Sequence, residues 1–191
     1  MCIKRIAVFA SGNGTNAQRI AEYFKNNKDI EISLILSNKP GAGVLERAEK
    51  LGIKSFVFNK NDFKKGQEVD VLLQQYGIDF IVLAGFLWLV PAFLIDKFPN
   101  KIINIHPALL PKYGGKGMYG MNVHRAVIEN NEKESGISIH YVNNKYDEGQ
   151  IIFQAKFDID KGETPDSLAN KIHKLEYEHF PKIIEKEILK L

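Results

Sequence analysis

Two side chains suited to proton transfer at a carbonyl group stand two residues apart, at Asn104 and His106. The apolar run before them is typical of a β-strand, in which residues i and i+2 point to the same face. Pro107 has no N–H to donate to a sheet, so it marks the predicted end of the strand. The segment therefore presents an amide and an imidazole to one point, which suits a reaction in which a carbonyl oxygen gains charge while a proton moves. Purely structural roles for both residues are the alternative that this spacing alone leaves open.

A carboxylate that could orient the imidazole is Asp147, in a polar segment between two predicted strands. An Asp at such a position often only stabilises a turn. In an α/β fold, however, the strand ends and their loops meet at one edge of the sheet, where ligands bind. From that edge Asp147 would raise the pKa of His106 and fix its tautomer.

A glycine-rich turn, SGNGTN at residues 11–16, joins the first predicted strand to the first predicted helix. Glycine allows close backbone approach, and the free N–H groups at a helix start attract an anion. The turn also fits the loose dinucleotide fingerprint, but the second strand ends at Asn38 without the carboxylate which that fingerprint expects. The pattern favours a phosphate monoester over a dinucleotide, and a turn without any ligand is the third possibility.

The composition is that of an ordinary soluble globular protein: 191 residues, 45% hydrophobic and 26% charged, which suffices for one domain with a sizeable core. A net charge of +3 without a long basic block does not indicate a nucleic-acid partner. The single cysteine, Cys2, excludes an internal disulfide, and nothing suggests a metal site. No apolar run is long enough for a membrane span and the N-terminus lacks a signal-peptide core, so we expect a cytoplasmic protein.

Strand-like and helix-like segments alternate along the first hundred residues. This alternation predicts an α/β fold with a Rossmann-like, mostly parallel twisted sheet and helices on both faces. The predicted strands are Ile3–Phe9, Glu31–Leu36, Ser55–Phe58, Asp79–Ala84 and Lys101–Ile105. The predicted helices are Ala17–Asn26, Val44–Leu51, Asp62–Tyr76 and Pro91–Phe98.

The pattern changes after residue 106. A long glycine-rich loop is predicted first, and then a helix, two strands that extend the sheet, and a long amphipathic helix capped by Thr164. The corresponding ranges are 107–122, Val123–Asn130, Gly136–Val142, Gln150–Ile159 and Thr164–Leu189. No composition shift marks a linker, so residues 1–191 are expected to form a single domain, with a phosphate-binding half (1–100) and a catalytic half (101–191).

Together, these motifs resemble those of the folate-dependent formyltransferases. The resemblance covers essentially the whole chain and rests on LAGF at 83–86, NIHPALLP at 104–111, His140, and Asp147 followed by Gly149. It implies transfer of a formyl group from 10-formyltetrahydrofolate to the amine of glycinamide ribonucleotide in purine biosynthesis. The reaction would pass through a tetrahedral intermediate without a metal, and the SGNGTN turn would bind the phosphate of the ribonucleotide.

The resemblance also implies roles for individual residues. Asn104 and His106 would stabilise the oxyanion, His106 would pass a proton to the folate nitrogen that leaves, and Asp147 would orient His106. The phosphate and ribose would be bound by Gly14, Thr15, Asn16, His173 and Glu176. The folate would be bound by Leu87, Trp88, Leu89, Val90, Asn104 and Lys65. A cis peptide bond is expected between Leu110 and Pro111.

Several alternatives stay open. Trp88 stands where many relatives carry Arg and would equally suit the core. The glycine-rich loop 112–121 is longer than in many relatives and predicts either a mobile lid or a surface insertion. A formyltetrahydrofolate hydrolase would carry a further N-terminal domain, and a nucleotide-binding protein without activity would not need Asn104, His106 and Asp147 together. We expect small-molecule substrates, no nucleic-acid or membrane partner, and a monomer or homodimer.

Overall fold

The computed structural model describes residues 3–191, with only the backbone for Gln67, so Cys2 lies outside the described residues. Within them, seven strands and seven helices follow one another. The strands are β1 Lys4–Phe9, β2 Ile30–Ser37, β3 Ser55–Val57, β4 Phe80–Leu83, β5 Ile102–His106, β6 Glu134–Tyr141 and β7 Ile151–Asp158. The helices are α1 Thr15–Phe24, α2 Gly43–Leu51, α3 Lys60–Lys65, α4 Gln67–Gln75, α5 Ala92–Lys97, α6 Met121–Glu129 and α7 Pro165–Ile188.

All seven strands form one sheet in the order β3-β2-β1-β4-β5-β6-β7. The first five strands are parallel, whereas β6 pairs antiparallel with both β5 and β7. The predicted mostly parallel sheet with a mixed C-terminal extension is therefore confirmed. The chain direction across the sheet reverses between β1 and β4, and ligands of open α/β sheets bind in the crevice that such a reversal creates.

Helices cover both faces of the sheet, as predicted. Alternate residues of β1 show why: Ile6 and Val8 pack in one core with α1, α2 and α7, while Ala7 and Phe9 pack in a second core with α3, α4 and α5. All four side chains are buried, which explains the uninterrupted apolar sequence of this strand. The sheet is thus a rigid platform whose strand ends can hold side chains in fixed positions.

The single helix predicted over Asp62–Tyr76 is wrong, because the structure has two helices, α3 and α4, separated at Gly66. Gly66 has a φ of 77°, a left-handed conformation that favours glycine. A Cβ atom at this position would lie 2.6 Å from the ring of Phe93. The break therefore depends on packing against a residue of another helix, which the local helical pattern does not reveal.

The C-terminal helix α7 packs back on the N-terminal half. The predicted cap is present, since the Thr164 side chain accepts a hydrogen bond from the Ser167 N–H. Glu185 of α7 accepts hydrogen bonds from Tyr23 and from Asn27. The predicted cis peptide bond between Leu110 and Pro111 is also present. No helix in residues 3–191 is long and apolar enough to cross a membrane.

Candidate active site

The carboxyl ends of β1, β4 and β5 open into a cleft of about 620 Å³ at the point where the sheet reverses direction. Its walls come from the turn after β1, the end of β4, the end of β5, the glycine-rich loop and α7. All residues predicted to be catalytic or to bind the phosphoribosyl group line this cleft: Gly14, Thr15, Asn16, Asn104, His106, Asp147, His173 and Glu176. The cleft is therefore the candidate active site.

His106 is held on both sides of its ring. Its Nδ1 lies 3.5 Å from Oδ2 of Asp147, and its Nε2 lies 2.7 Å from the backbone oxygen of Tyr113. A carbonyl oxygen can only accept, so Nε2 carries a proton. Burial lowers the pKa of His106, while Asp147 and the Tyr113 carbonyl oppose this effect by stabilising the imidazolium form. The buried ring is thus held in one orientation, and its protonation depends on both Asp147 and the Tyr113 carbonyl group.

Asp147 is half-buried at the centre of the cluster and has a left-handed backbone, with a φ of 56°. Its Oδ2 accepts a hydrogen bond of 2.9 Å from the N–H of Gly115, and its Oδ1 lies 3.4 Å from Nδ2 of Asn104. Burial raises the pKa of Asp147, but His140, His106 and the Gly115 N–H outweigh burial and hold the pKa below its ordinary value. Asp147 is therefore ionised beside His106 at neutral pH.

Asn104 contacts His140, a histidine to which the sequence assigned no role. Antiparallel pairing of β5 and β6 places the two residues opposite each other, with 3.1 Å between Nδ2 of Asn104 and Nε2 of His140. Nδ1 of His140 donates to the backbone oxygen of Tyr141 at 2.8 Å, and Nε2 of His140 also lies 3.6 Å from Oδ1 of Asp147. Both N–H groups of the Asn104 amide thus point to His140 and Asp147, and a substrate oxygen would have to replace one of them. Only the register between β5 and β6 reveals this contact.

The glycine-rich turn leads directly into α1. Gly14 is the N-cap residue, with a φ of 75° and no side chain to occupy the first N–H groups of the helix. These N–H groups have no partner within a helix, and together with the helix dipole they make this helix start a candidate anion site. Thr15 and Asn16 follow at the cleft wall. A Cβ at position 14 would lie 2.7 Å from Cα of Val44, so only glycine fits against α2 here.

Glu176 and His173 of α7 face this turn across the cleft. Glu176 is buried, with only 5% of its surface exposed, and its Oε2 accepts a 2.8 Å hydrogen bond from Nδ2 of Asn16. Burial raises the pKa of Glu176 to about 7, although Asn16 opposes the shift. His173 lies one helical turn earlier and is exposed at the cleft. The two residues complete a polar pocket beside the anion site.

The predicted folate residues are only partly assembled around the cleft. Leu87 and Asn104 line it, whereas four others lie outside its wall: Trp88, Leu89, Val90 and Lys65. The N–H of Leu87 donates to Oγ of Ser11 at 3.0 Å, and the N–H of Leu89 donates to the hydroxyl of Tyr146 at 3.1 Å. The segment 87–90 is thus fastened at two points next to the cleft.

Trp88 packs with aromatic residues of the second core. Its ring centroid lies 6.0 Å from those of Phe58 and Phe63 and 6.3 Å from that of Phe86. Aromatic pairs at such distances stabilise a core beyond the area they bury. These contacts favour the core alternative for Trp88. Lys65 is exposed at the end of α3.

Two parts of the cleft wall are not among the residues predicted to be catalytic or to bind a substrate. The first is the middle of the glycine-rich loop, residues 115–120, which forms one wall. The second is His124 of α6, which is buried and has no partner for Nδ1 among the described residues. Burial lowers the pKa of His124 to about 4, so the ring is neutral at physiological pH. Within residues 3–191, no three His, Cys, Asp or Glu side chains are grouped to hold a metal ion.

Comparison with known proteins defines the class of the molecule. Residues 4–184 match the family model described as formyl transferase. The chain therefore belongs to the formyl transferase family and is an enzyme of that class. This match confirms the resemblance seen in the sequence.

Individual relatives indicate which enzymes of this family the chain is similar to in sequence and structure. The chloroplastic phosphoribosylglycinamide formyltransferase of Arabidopsis thaliana is 40% identical over 97% of this chain and 67% of its own length. The phosphoribosylglycinamide formyltransferase of Bacillus subtilis is 37% identical over 96% of this chain and 94% of its own length. The crystal structure of the enzyme of that name from Bacillus halodurans superposes with a TM-score of 0.85 at 36% identity, covering 96% and 94% of the two chains. Fold class and family assignment thus agree with the sequence prediction.

Proposed function

We propose that this chain transfers the formyl group of 10-formyltetrahydrofolate to the amine of glycinamide ribonucleotide and so produces formylglycinamide ribonucleotide for purine biosynthesis. The observation that carries the proposal is the placement of Asn104, His106 and Asp147 in the same cleft as an anion-binding helix start. The names of the relatives describe this reaction. Small molecules of this size also suit a cleft of about 620 Å³.

The orientation of the ribonucleotide follows from the two walls. Its phosphate would bind at the N-terminus of α1 beside Gly14, Thr15 and Asn16, and His173 would lie near the phosphate. The buried carboxyl of Glu176 would contact the ribose hydroxyl groups. The glycinamide amine would then extend towards His106 at the end of β5. This arrangement assigns phosphate binding largely to residues 1–100 and the chemistry to residues 101–191.

The chemistry requires a proton to move from the attacking amine to the leaving nitrogen. The amine forms a C–N bond with the formyl carbon, and the carbonyl oxygen becomes an oxyanion. Asn104 and protonated His106 stabilise that charge once the Nε2–H of His106 exchanges its hydrogen bond to the Tyr113 carbonyl for one to the substrate. The bond to the folate nitrogen breaks as this nitrogen receives a proton through His106. Asp147 keeps the imidazolium charge stable and the ring oriented, at 3.5 Å from Nδ1.

Two other functions would use the same fold. A formyltetrahydrofolate hydrolase would present water to the formyl carbon, and would not need an anion site and a buried Glu176 on the opposite wall. A nucleotide-binding protein without activity would not need the His106–Asp147 pair. We therefore favour the transferase, with folate as the co-substrate. Reaction without a metal, a cytoplasmic location, the absence of nucleic-acid and membrane partners, and a monomer or homodimer remain predictions.

A melting experiment tests the two binding sites separately. Glycinamide ribonucleotide and a non-reactive folate analogue should each raise the melting temperature. A ligand that binds only the folded state raises the free energy of unfolding by about 2.7 kcal/mol at a concentration of 100 Kd. NAD at the same concentration should leave the melting temperature unchanged. Stabilisation by NAD, or none by the ribonucleotide, would contradict the proposed function.

A further inference from the structure

One short stretch of the glycine-rich loop contacts both members of the catalytic pair. The backbone oxygen of Tyr113 accepts the 2.7 Å hydrogen bond from Nε2 of His106, and the N–H of Gly115 donates the 2.9 Å hydrogen bond to Oδ2 of Asp147. Gly114, between them, packs so closely that a Cβ atom there would lie 3.2 Å from Cβ of Asp147. The stretch 113–115 therefore defines the surroundings of His106 and Asp147 together.

The backbone of Tyr113 needs support to keep this conformation. Its φ is 57°, in the left-handed region that residues with a side chain rarely adopt. Such conformations persist where the surroundings hold them, and they are frequent at active sites. The Tyr113 side chain is itself fixed by a hydrogen bond, at the opposite end of the residue from the carbonyl group that meets His106.

The Tyr113 hydroxyl donates a 2.8 Å hydrogen bond to Oε1 of Glu132, a residue that follows α6. Lys112 donates to the same carboxylate at 2.9 Å. Burial, followed by the hydrogen bond to Glu132, raises the pKa of Tyr113 to about 12, and the bonds from Lys112 and Tyr113 lower the pKa of Glu132. The phenol therefore stays protonated and the carboxylate stays charged at physiological pH, which keeps this anchor intact.

We infer that Tyr113, anchored by Glu132, is a positioning residue of the transferase: its carbonyl group orients the His106 ring through Nε2–H until the substrate takes over that hydrogen bond, while the following Gly115 N–H holds Asp147. The inference rests on the proposed function, because it assigns Tyr113 to the reaction carried by His106. It gives a role to the glycine-rich loop, which the sequence left as either a lid or a surface insertion.

The consequence for His106 is electrostatic as well as geometric. The Tyr113 carbonyl raises the pKa of His106, as does Asp147, whereas burial and the neighbouring His140 lower it. His124 is a further titratable group near His106, since burial, His173 and His106 together lower its pKa to about 4, and it is neutral at physiological pH. Loss of the carbonyl contact should therefore lower the His106 pKa and allow the ring to rotate, without changing the walls that bind the ribonucleotide.

The test compares Tyr113→Phe with Tyr23→Phe, a matched control. Tyr23 also donates to a carboxylate, Oε2 of Glu185 at 2.7 Å, but on the outer surface between α1 and α7. In Tyr113→Phe we expect kcat to fall about 10- to 100-fold, since small misplacements of reacting groups have effects of this size. KM for each substrate should stay within about twofold. Tyr23→Phe should leave kcat unchanged.

A second variant and a second measurement separate positioning from folding. Glu132→Gln keeps an acceptor for the Tyr113 hydroxyl and should retain most of kcat, whereas Glu132→Leu should behave like Tyr113→Phe. NMR titration of the His106 ring, done on ligand-free protein, should show a lower pKa in Tyr113→Phe and in Glu132→Leu. This titration does not depend on the identity of the substrate, so its result stands even if the proposed function fails. An unchanged kcat in Tyr113→Phe, or an unchanged His106 pKa, would overturn the inference.

Discussion

The two walls of the cleft are built in different ways. The wall proposed to bind the phosphate, called here the anion-binding wall, comes mainly from one continuous stretch, residues 11–16, in which no side chain caps the backbone N–H groups at the start of α1. The catalytic wall is assembled from four separate places in the chain: Asn104 with His106, the stretch 113–115, His140, and Asp147. The first wall is open to its ligand, while the groups of the second are already bonded to one another.

This difference between the walls predicts which kinetic constant a substitution in each wall should change. Groups that wait for a ligand contribute to binding, so substitutions there should act mainly on KM for the ribonucleotide. Groups held by a preformed hydrogen-bond network contribute to the transition state, because their orientation costs nothing at the moment of reaction. Substitutions in the catalytic wall should therefore act mainly on kcat, and should be strongly coupled to one another.

The largest expected effect comes from the catalytic wall. His106→Ala removes both a proton carrier and an oxyanion donor, and kcat should fall by about 10² to 10⁴. Asp147→Asn should lower kcat less, and the double variant should be hardly worse than His106→Ala because the two residues act as a unit. Steady-state kinetics of the three variants provides the measurement. Losses that multiply in the double variant would show that Asp147 acts independently of His106.

The same Asp147→Asn variant should shift the pH dependence. Asp147 raises the pKa of His106, so removal of its charge should lower that pKa, and the limb of the pH–rate profile that reports His106 should move to lower pH. A limb that stays in place would contradict the contact between the two side chains.

An effect of intermediate size is expected at Glu176, where the two walls meet. Its pKa rises from 4.5 to about 7 in the folded protein, so the folded state binds a proton that the unfolded state has released. The free energy of unfolding should fall by on the order of 3 kcal/mol as pH rises from 4.5 to about 7, and should stay low above that range.

The variant Glu176→Gln tests this pH dependence. Its side chain cannot ionise, so the variant should have a higher melting temperature than the parent at pH 8 and a similar one at pH 4.5. Equal differences at both pH values would contradict the burial argument. Ribonucleotide binding should weaken in this variant.

A smaller effect is expected in the anion-binding wall. Thr15→Val removes one hydroxyl while keeping the shape of the side chain, and KM for the ribonucleotide should rise by about 5- to 15-fold, which corresponds to about 1–1.5 kcal/mol for one hydrogen bond. KM for the folate and kcat should hardly change. Substitution of Gly14 is a poorer test, because the backbone conformation and the contact with Val44 would disturb folding itself. A fall in kcat with unchanged KM would place Thr15 in the wrong wall.

The smallest effect is expected at Lys65, outside both walls. The side chain is exposed, and exposed charge contacts contribute about 0–1 kcal/mol. Lys65→Ala should leave turnover with a monoglutamyl folate unchanged and raise KM for a polyglutamyl folate by at most about fivefold. A large loss with the monoglutamyl form would contradict this expectation and show that Lys65 contacts the folate itself and not only its glutamate tail.

The difference between the two walls also explains which features can be predicted from the sequence. The sheet, its helices and the phosphate turn depend on contiguous patterns, and so the sequence alone suffices to assign the residues from Gly14 to Asn16 to the turn. Asn104 and His106 are accessible to the same reasoning because two residues on one strand necessarily share a face. Asp147 is a candidate from its predicted place at the sheet edge, whereas the family resemblance, rather than any local pattern, supplied the role of Glu176.

The remaining features depend on contacts between distant segments. Gly66 divides a predicted helix because Phe93 packs against it, and His140 meets Asn104 through the β5–β6 register. The role of Tyr113 depends on a left-handed backbone within a loop whose glycines allow many paths. Trp88 suits either folate binding or the core by sequence, and the core is favoured because the fold brings three aromatic side chains around it.

The most direct test of formyl transfer follows the formyl group itself. The enzyme should be incubated with 10-formyltetrahydrofolate labelled in the formyl carbon, with and without glycinamide ribonucleotide, and the products separated by mass. We predict that the label appears in the ribonucleotide in equal amount to the tetrahydrofolate released, and that little tetrahydrofolate is released without the acceptor. Label recovered as formate at the same rate in both reactions would identify a hydrolase and contradict the proposed transfer.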